Sequence, residues 1–183
     1  MPYNRLGFHI IHIIKMNDKK LTTKIRTIII VFIVFLVLSG ITAFPTETEL
    51  QFLNNHIDIF PDFIKKWITD VYHAVKTTNT NFPFLSYGTD WLAFAHLVIA
   101  VAFIGPLKNP VKNIWVIEFG MIACVMMIPL ALIAGPVRGI PFYWRLIDCS
   151  FGILGLIPLF WCYKLIKKLE LRSGSCSTKP QIQ

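Results

Sequence analysis

The chain has 183 residues, a formal net charge of +8, 55% hydrophobic residues, only 15% charged ones and a mean hydropathy of +0.60. Soluble domains carry about 25% charged and about 45–50% apolar residues. An ordinary water-soluble domain is therefore excluded, and the length leaves room for one small helical bundle without a separate catalytic domain.

The basic residues flank apolar runs and form no nucleic-acid motif, so they read as topology determinants and no nucleic-acid role is expected. The cysteines Cys124, Cys149, Cys162 and Cys176 make no C-x-x-C pair, and three lie inside apolar runs. They read as small apolar residues, and neither a metal nor a cofactor is expected.

Residues 1–26 form a basic N-terminal segment. Met16 opens MNDKKLTTKIR, an ordinary basic lead into an apolar run, and is the expected start, with residues 1–15 an extension. The rival reading of residues 1–15 is a short cytoplasmic amphipathic helix.

Residues 27–44 are the first apolar run. At 1.5 Å per residue it just crosses a hydrocarbon core of about 30 Å. A signal peptide ending at Ile41-Thr-Ala43 is the alternative. The long apolar stretch and the bulky Ile41 favour an uncleaved first span.

Residues 45–89 are polar enough to lie outside the bilayer, with five acids (Glu47, Glu49, Asp58, Asp62, Asp70) against three lysines (Lys65, Lys66, Lys76). Pro61-Asp62 is a helix start. From there Phe63, Ile64, Trp67, Ile68, Val71, Tyr72 and Val75 recur at helical spacing, which predicts an amphipathic helix over 61–77 lying on the membrane or capping the bundle. His56 and His73 read as solvated.

The second span is expected over 90–106, capped by Thr89 or Asp90 and closed by Gly105-Pro106. His96 then lies about 9 Å deep by helical rise. Ala93, His96, Ala100 and Phe103 share a face suited to a helix–helix contact. A turn at 107–113 carries Lys108 and Lys112.

The third span, 114–134, has a stripe of small residues: Gly120, Ala123, Cys124, Met127, Ala131 and Ala134. Pro129 loosens it, and Glu118 points away from the stripe. A Gly/Pro loop at 135–143 leads into the fourth span, 144–163. There Arg145, Asp148, Cys149, Gly152 and Leu156 share one sector. Residues 164–183 form a basic cytoplasmic tail, expected to be unstructured from Leu169 onward.

Lysine and arginine before the first span, between the second and third, and after the fourth fall on one side of a four-span chain. That side is read as cytoplasmic, with both termini on it. The fold class is therefore an all-α membrane protein: four transmembrane helices in a small bundle plus one extracytoplasmic amphipathic helix. A bacterial inner membrane suits the absence of an N-x-S/T sequon.

The stretch Gly135 to Gly152 carries the densest chemistry. On this topology Asp90, His96, Arg138, Arg145 and Asp148 all belong to the outer half. Arg145 and Asp148, spaced i, i+3, are expected to pair. Arg138 and Arg145 are candidate binders of an anionic head, Asp90 is a further ligand-binding candidate, and His96 with Asp148 is the candidate catalytic pair, Asp90 being the alternative group to orient His96. Glu118 is the candidate proton-path carboxylate.

Three functions compete. The first is a membrane binding or accessory protein with an outer-leaflet polar pocket for an anionic amphiphile. The second is a small lipid-modifying enzyme using His96 and Asp148, and the third a proton-coupled transporter acting as an oligomer. The expected partners are membrane lipids, with a protein partner or self-association along the Trp67 helix.

Overall fold

The computed structural model describes the backbone of residues 3–177 and the side chains of Met16 and of residues 18–172. The side chains of Arg5, Lys15 and Cys176, and the reading of residues 1–15 as amphipathic, lie outside the described residues. The described chain is all-helical, without a strand: α1 (Tyr3–Thr42), α2 (Thr46–Asn55), a 3-10 turn (Ile57–Ile59), α3 (Asp62–Asn81), α4 (Pro83–Ala102), α5 (Ile104–Lys108), α6 (Ile114–Val137) and α7 (Phe142–Ser177).

Four helices are long and apolar enough to span a membrane: Asp18–Thr42, Pro83–Lys108, Ile114–Val137 and Phe142–Arg172. Each exceeds the ~20 residues that a bilayer core requires. Their large apolar side chains turn outward to an unusual degree. Phe35, Val101, Ile133, Leu154 and Trp161 are all exposed, and no buried polar or charged residue occurs among the described residues. Such faces are stable against acyl chains or another apolar surface.

The chain divides into two compact units, Met1–Phe32 with Ala102–Gln183, and Ile33–Val101. The first contains the start of α1, then α5, α6 and α7. Leu21, Ile25 and Ile29, one turn apart on α1, are buried here. α6 buries Ile117, Gly120, Cys124, Ala131 and Gly135, and α7 buries Cys149, Gly152, Leu159, Cys162 and Ile166. These are the three- and four-residue steps of a helix-packing seam.

Glycine sets the depth of that seam. A Cβ on Gly152 would stand 2.6 Å from the Cys124 carbonyl oxygen, and one on Gly155 would stand 2.9 Å from the Cys124 Sγ. Phe103 fills the space over Gly120, where a Cβ would meet its Cζ at 2.8 Å, and its ring lies 4.8 Å from that of Phe32. At the far end of α7, Arg172 reaches Asp18 of α1 at 3.3 Å, and Lys167 pairs with Glu170 at 3.0 Å. With these ties α7 continues through Leu169 to Ser177, where the polar composition had predicted an unstructured tail.

The end of α6 is three residues later than the Gly135-Pro136 punctuation suggests. Gly139, at φ 70°, is the left-handed residue that ends it. The Ile140 N–H donates to the Gly135 carbonyl at 2.9 Å, and the Gly139 N–H donates to that of Pro136 at 3.1 Å. This is the Schellman pattern, with Pro141 following as the stop.

In the second unit α2 and α3 form an antiparallel hairpin. Thr69 of α3 donates to Asn54 of α2 at 3.1 Å, and Asn79 donates to Glu47 at 2.6 Å. Ile68 and Tyr72 of α3 are buried, whereas Phe63, Phe52 and Ile59 are exposed. α1 and α4 touch at Gly40, where a Cβ would stand 2.9 Å from the Ala93 carbonyl oxygen and 3.2 Å from the His96 Cβ. Ala93 and Ala100 are buried. α4 starts at Pro83, seven residues before the expected cap, because proline is preorganised for a first turn. Asp90 is consequently inside the helix.

Gly152→Ala is expected to part α6 from α7 and lower stability by about 1–3 kcal/mol. Gly88→Ala, in a helix with nothing within 4 Å of the new Cβ, is expected to be neutral or mildly stabilising. Denaturant titration in detergent, followed by circular dichroism, separates the two.

Candidate functional site

Arg138, Arg145 and Asp148 belong to the first unit, and Asp90 and His96 to the second. Their environments are built by different elements.

Arg138 follows the last turn of α6, and its N–H donates to the Ala134 carbonyl at 3.0 Å. The Schellman turn thus places an exposed guanidinium at the α6 end of a groove of about 330 Å³ between α6 and α7. The groove walls are apolar, with Met127, Leu130, Ala131 and Phe151 among them, and Asp148 is its second charged residue. Asp148 lies six residues into α7, about 9 Å along the helix.

The expected Arg145–Asp148 ion pair does not form among the described side chains. The Arg145 side chain follows the N-terminal lean of helical residues rather than reaching forward to Asp148. The guanidinium lies 5.2 Å from the centroid of the Phe142 ring. Its methylenes lie across Gly135, where a Cβ would collide with Cδ and stand 2.8 Å from Cγ. The Arg145 Nε is buried without a hydrogen-bond partner. Such burial typically costs about 1–3 kcal/mol, partly offset by the cation–π contact. Arg145 is therefore packed beside the groove rather than lining it.

His96 Nδ1 lies 2.8 Å from the Leu92 carbonyl, one turn back on α4. By helical rise it sits about 20 Å from the Pro83 start of α4, twice the expected depth. His56 is held likewise, its Nδ1 2.9 Å from the Phe52 carbonyl. Ser150 donates to the Ile147 carbonyl at 2.6 Å, so its hydroxyl serves its own helix. Glu118 is part-buried on α6, and no ion pair to it is present among the described side chains.

Sequence reasoning missed a second concavity, of about 400 Å³, inside the second unit. Asp90 lines it with Glu47, and no arginine, lysine or histidine does. Ser86 donates to the Asn79 side-chain Oδ1, and the Asn79 Nδ2 donates to Glu47 Oε2 at 2.6 Å. The signal available in sequence was the polar composition of 46–48 and 78–90. It lacked the pairing that the α2–α3 hairpin supplies.

No cluster of three potential metal ligands occurs among the described residues. No family model, curated protein or solved structure matches the chain.

Asn79→Ala removes the residue that ties α3 to both α2 and α4. A loss of about 1.5–3 kcal/mol is expected, since one of its bonds goes to a carboxylate. Thr80→Ala, whose hydroxyl bonds only the Lys76 carbonyl, is expected to change little in the same unfolding experiment.

Proposed function

We propose that the chain is a polytopic membrane binding or accessory protein whose α6–α7 groove holds an anionic amphiphile at the outer leaflet. The observation that carries this is the groove itself. It has apolar walls and two charged residues, Arg138 and Asp148, neither of them ion-paired among the described side chains. An ionisable side chain in a span needs a partner or a wet cavity, and the groove supplies the cavity.

An acyl chain fits along Met127, Leu130 and Phe151. The anionic group meets the Arg138 guanidinium, which binds phosphate in bidentate fashion. Asp148, an acceptor when ionised, favours a head that also offers hydroxyl donors. Arg145 acts on this site by packing against Gly135, which lines the groove.

The enzyme reading has weaker support, because the His96 ring faces its own helix carbonyl and Asp148 shares a groove with Arg138.

The test is native mass spectrometry of the purified protein titrated with phosphatidylglycerol in a neutral detergent. Arg138→Gln is expected to reduce its retention about tenfold, the loss of one charged hydrogen-bonding contact. Neutral-detergent adducts should stay unchanged. Equal retention by the folded variant and the wild type would sink the groove as an anion site.

Orientation is tested separately, in a Cys176→Ser background. Cysteines replacing Lys19, Lys108 or Lys168 are expected to react with an impermeant maleimide only after cells are opened. One replacing Thr77 is expected to react in intact cells. The reverse pattern would place the groove on the inner face.

A further inference from the structure

The concavity of the second unit has its own chemistry: its charged lining residues are acids alone, whereas the α6–α7 groove has one of each sign. Four segments build it: the end of α1 at Phe44, the start of α2 at Thr46–Thr48, the last turns of α3, and the first half of α4. At about 400 Å³ it lies within the size range of small-molecule sites.

Glu47 and Asp90 are the ionisable residues of the lining, both part-buried, so the walls are doubly negative when both are charged. Hydroxyls of Thr48, Thr78 and Thr89 and the Asn79 amide supply further polar groups. Phe44, Val75 and Leu85 form an apolar side.

The hydrogen-bond chain from Ser86 through Asn79 to Glu47 fixes one carboxylate in place. Glu47 Oε2 accepts from the Asn79 amide, while no hydrogen bond to Oε1 is present among the described residues. No described ion pair engages Glu47 or Asp90. The unit does contain lysines that neutralise carboxylates elsewhere: Lys65 lies near Asp58 and Asp62, and Lys66 pairs with Asp70 at 2.9 Å. The cavity acids are left without such a cation.

From this arrangement we propose that the cavity binds a small ammonium-bearing ligand, an aliphatic amine or the amine end of a lipid head. The ammonium, a compact three-proton donor, is held by Glu47 and Asp90. Its carbon chain lies against Phe44 and Leu85. The proposal rests on different residues from the α6–α7 groove and stands or falls separately.

The test uses full-length protein in neutral detergent. Ethanolamine and putrescine are titrated calorimetrically, with ethylene glycol and 1,4-butanediol as uncharged counterparts. Saturable binding of the amines and none of the diols is the expected result. Glu47→Gln keeps an acceptor for Asn79, and Asp90→Asn keeps the side-chain shape. Each is expected to weaken amine binding about tenfold.

Nanodiscs separate the sources. Specific retention of phosphatidylethanolamine over phosphatidylglycerol, lost in the Glu47→Gln/Asp90→Asn pair, identifies a lipid head, whereas binding of the free amines alone identifies a soluble ligand. Diols that bind as well as amines would overturn the proposal. So would undiminished amine binding by the double variant with wild-type circular dichroism, or the absence of binding by every amine probe.

Discussion

Close approach at glycine is the constraint on which the rest of the first unit depends. Between apolar helices in lipid there is little hydrophobic drive to associate, because acyl chains solvate leucine as well as leucine does. What remains is close packing, and that requires small residues where helices cross. Gly152 lies against the Cys124 carbonyl, Gly155 against the Cys124 thiol, and Gly120 under Phe103 and Leu159. Phe103 and Leu159 are completely buried, so glycine here creates the hole and a large side chain fills it. The bulky residues left over, such as Leu130, Ile133 and Leu154, point outward.

The same rule explains how much of the fold could be read in advance. A stripe of small residues on the third span was visible as a period, and Gly120, Cys124 and Ala131 are buried on it. Ala123, on the edge of that stripe, is exposed, because a stripe of period 3.6 does not reveal how wide the partner is. The Gly135-Pro136 punctuation pointed to a helix end, yet two glycines stand close together and only one has a positive φ. Gly139 ends α6; Gly135 makes room for Arg145. Sequence shows that a glycine is needed but not whether its missing Cβ serves a turn or a neighbour. The helix over 46–55 was not anticipated at all. Its sequence, TETELQFLNN, has no sustained apolar period, and it is held by hydrogen bonds to α3, which are tertiary.

The charged residues show a similar limit. Spacing alone made Arg145 and Asp148 natural partners, but spacing does not decide which contact forms. Lys167 and Glu170 pair at the same three-residue interval on the same helix, whereas Arg145 is drawn to other contacts. Arg145 leans onto Phe142 and Gly135, and Asp148 is left facing a groove. His96 is a parallel case. Six residues from an assumed cap it stood near a helix start, but the observed start at Pro83 puts it well inside α4, with its ring turned to Leu92.

In the second unit α1 and α4 touch at Gly40, but a polar bridge sets the geometry around the cavity. The Asn79 side chain both donates and accepts, so one residue joins the start of α2 to the first turn of α4. A bridge of this kind holds helices apart as well as together, since side chains span more distance than a glycine contact. The space left between them is the cavity that Glu47 and Asp90 line. At Gly120, Gly152 and Gly155 the missing Cβ is met by Phe103, Leu159 and Cys124, whereas beside the hydrogen-bonded Asn79 amide a charged space stays open.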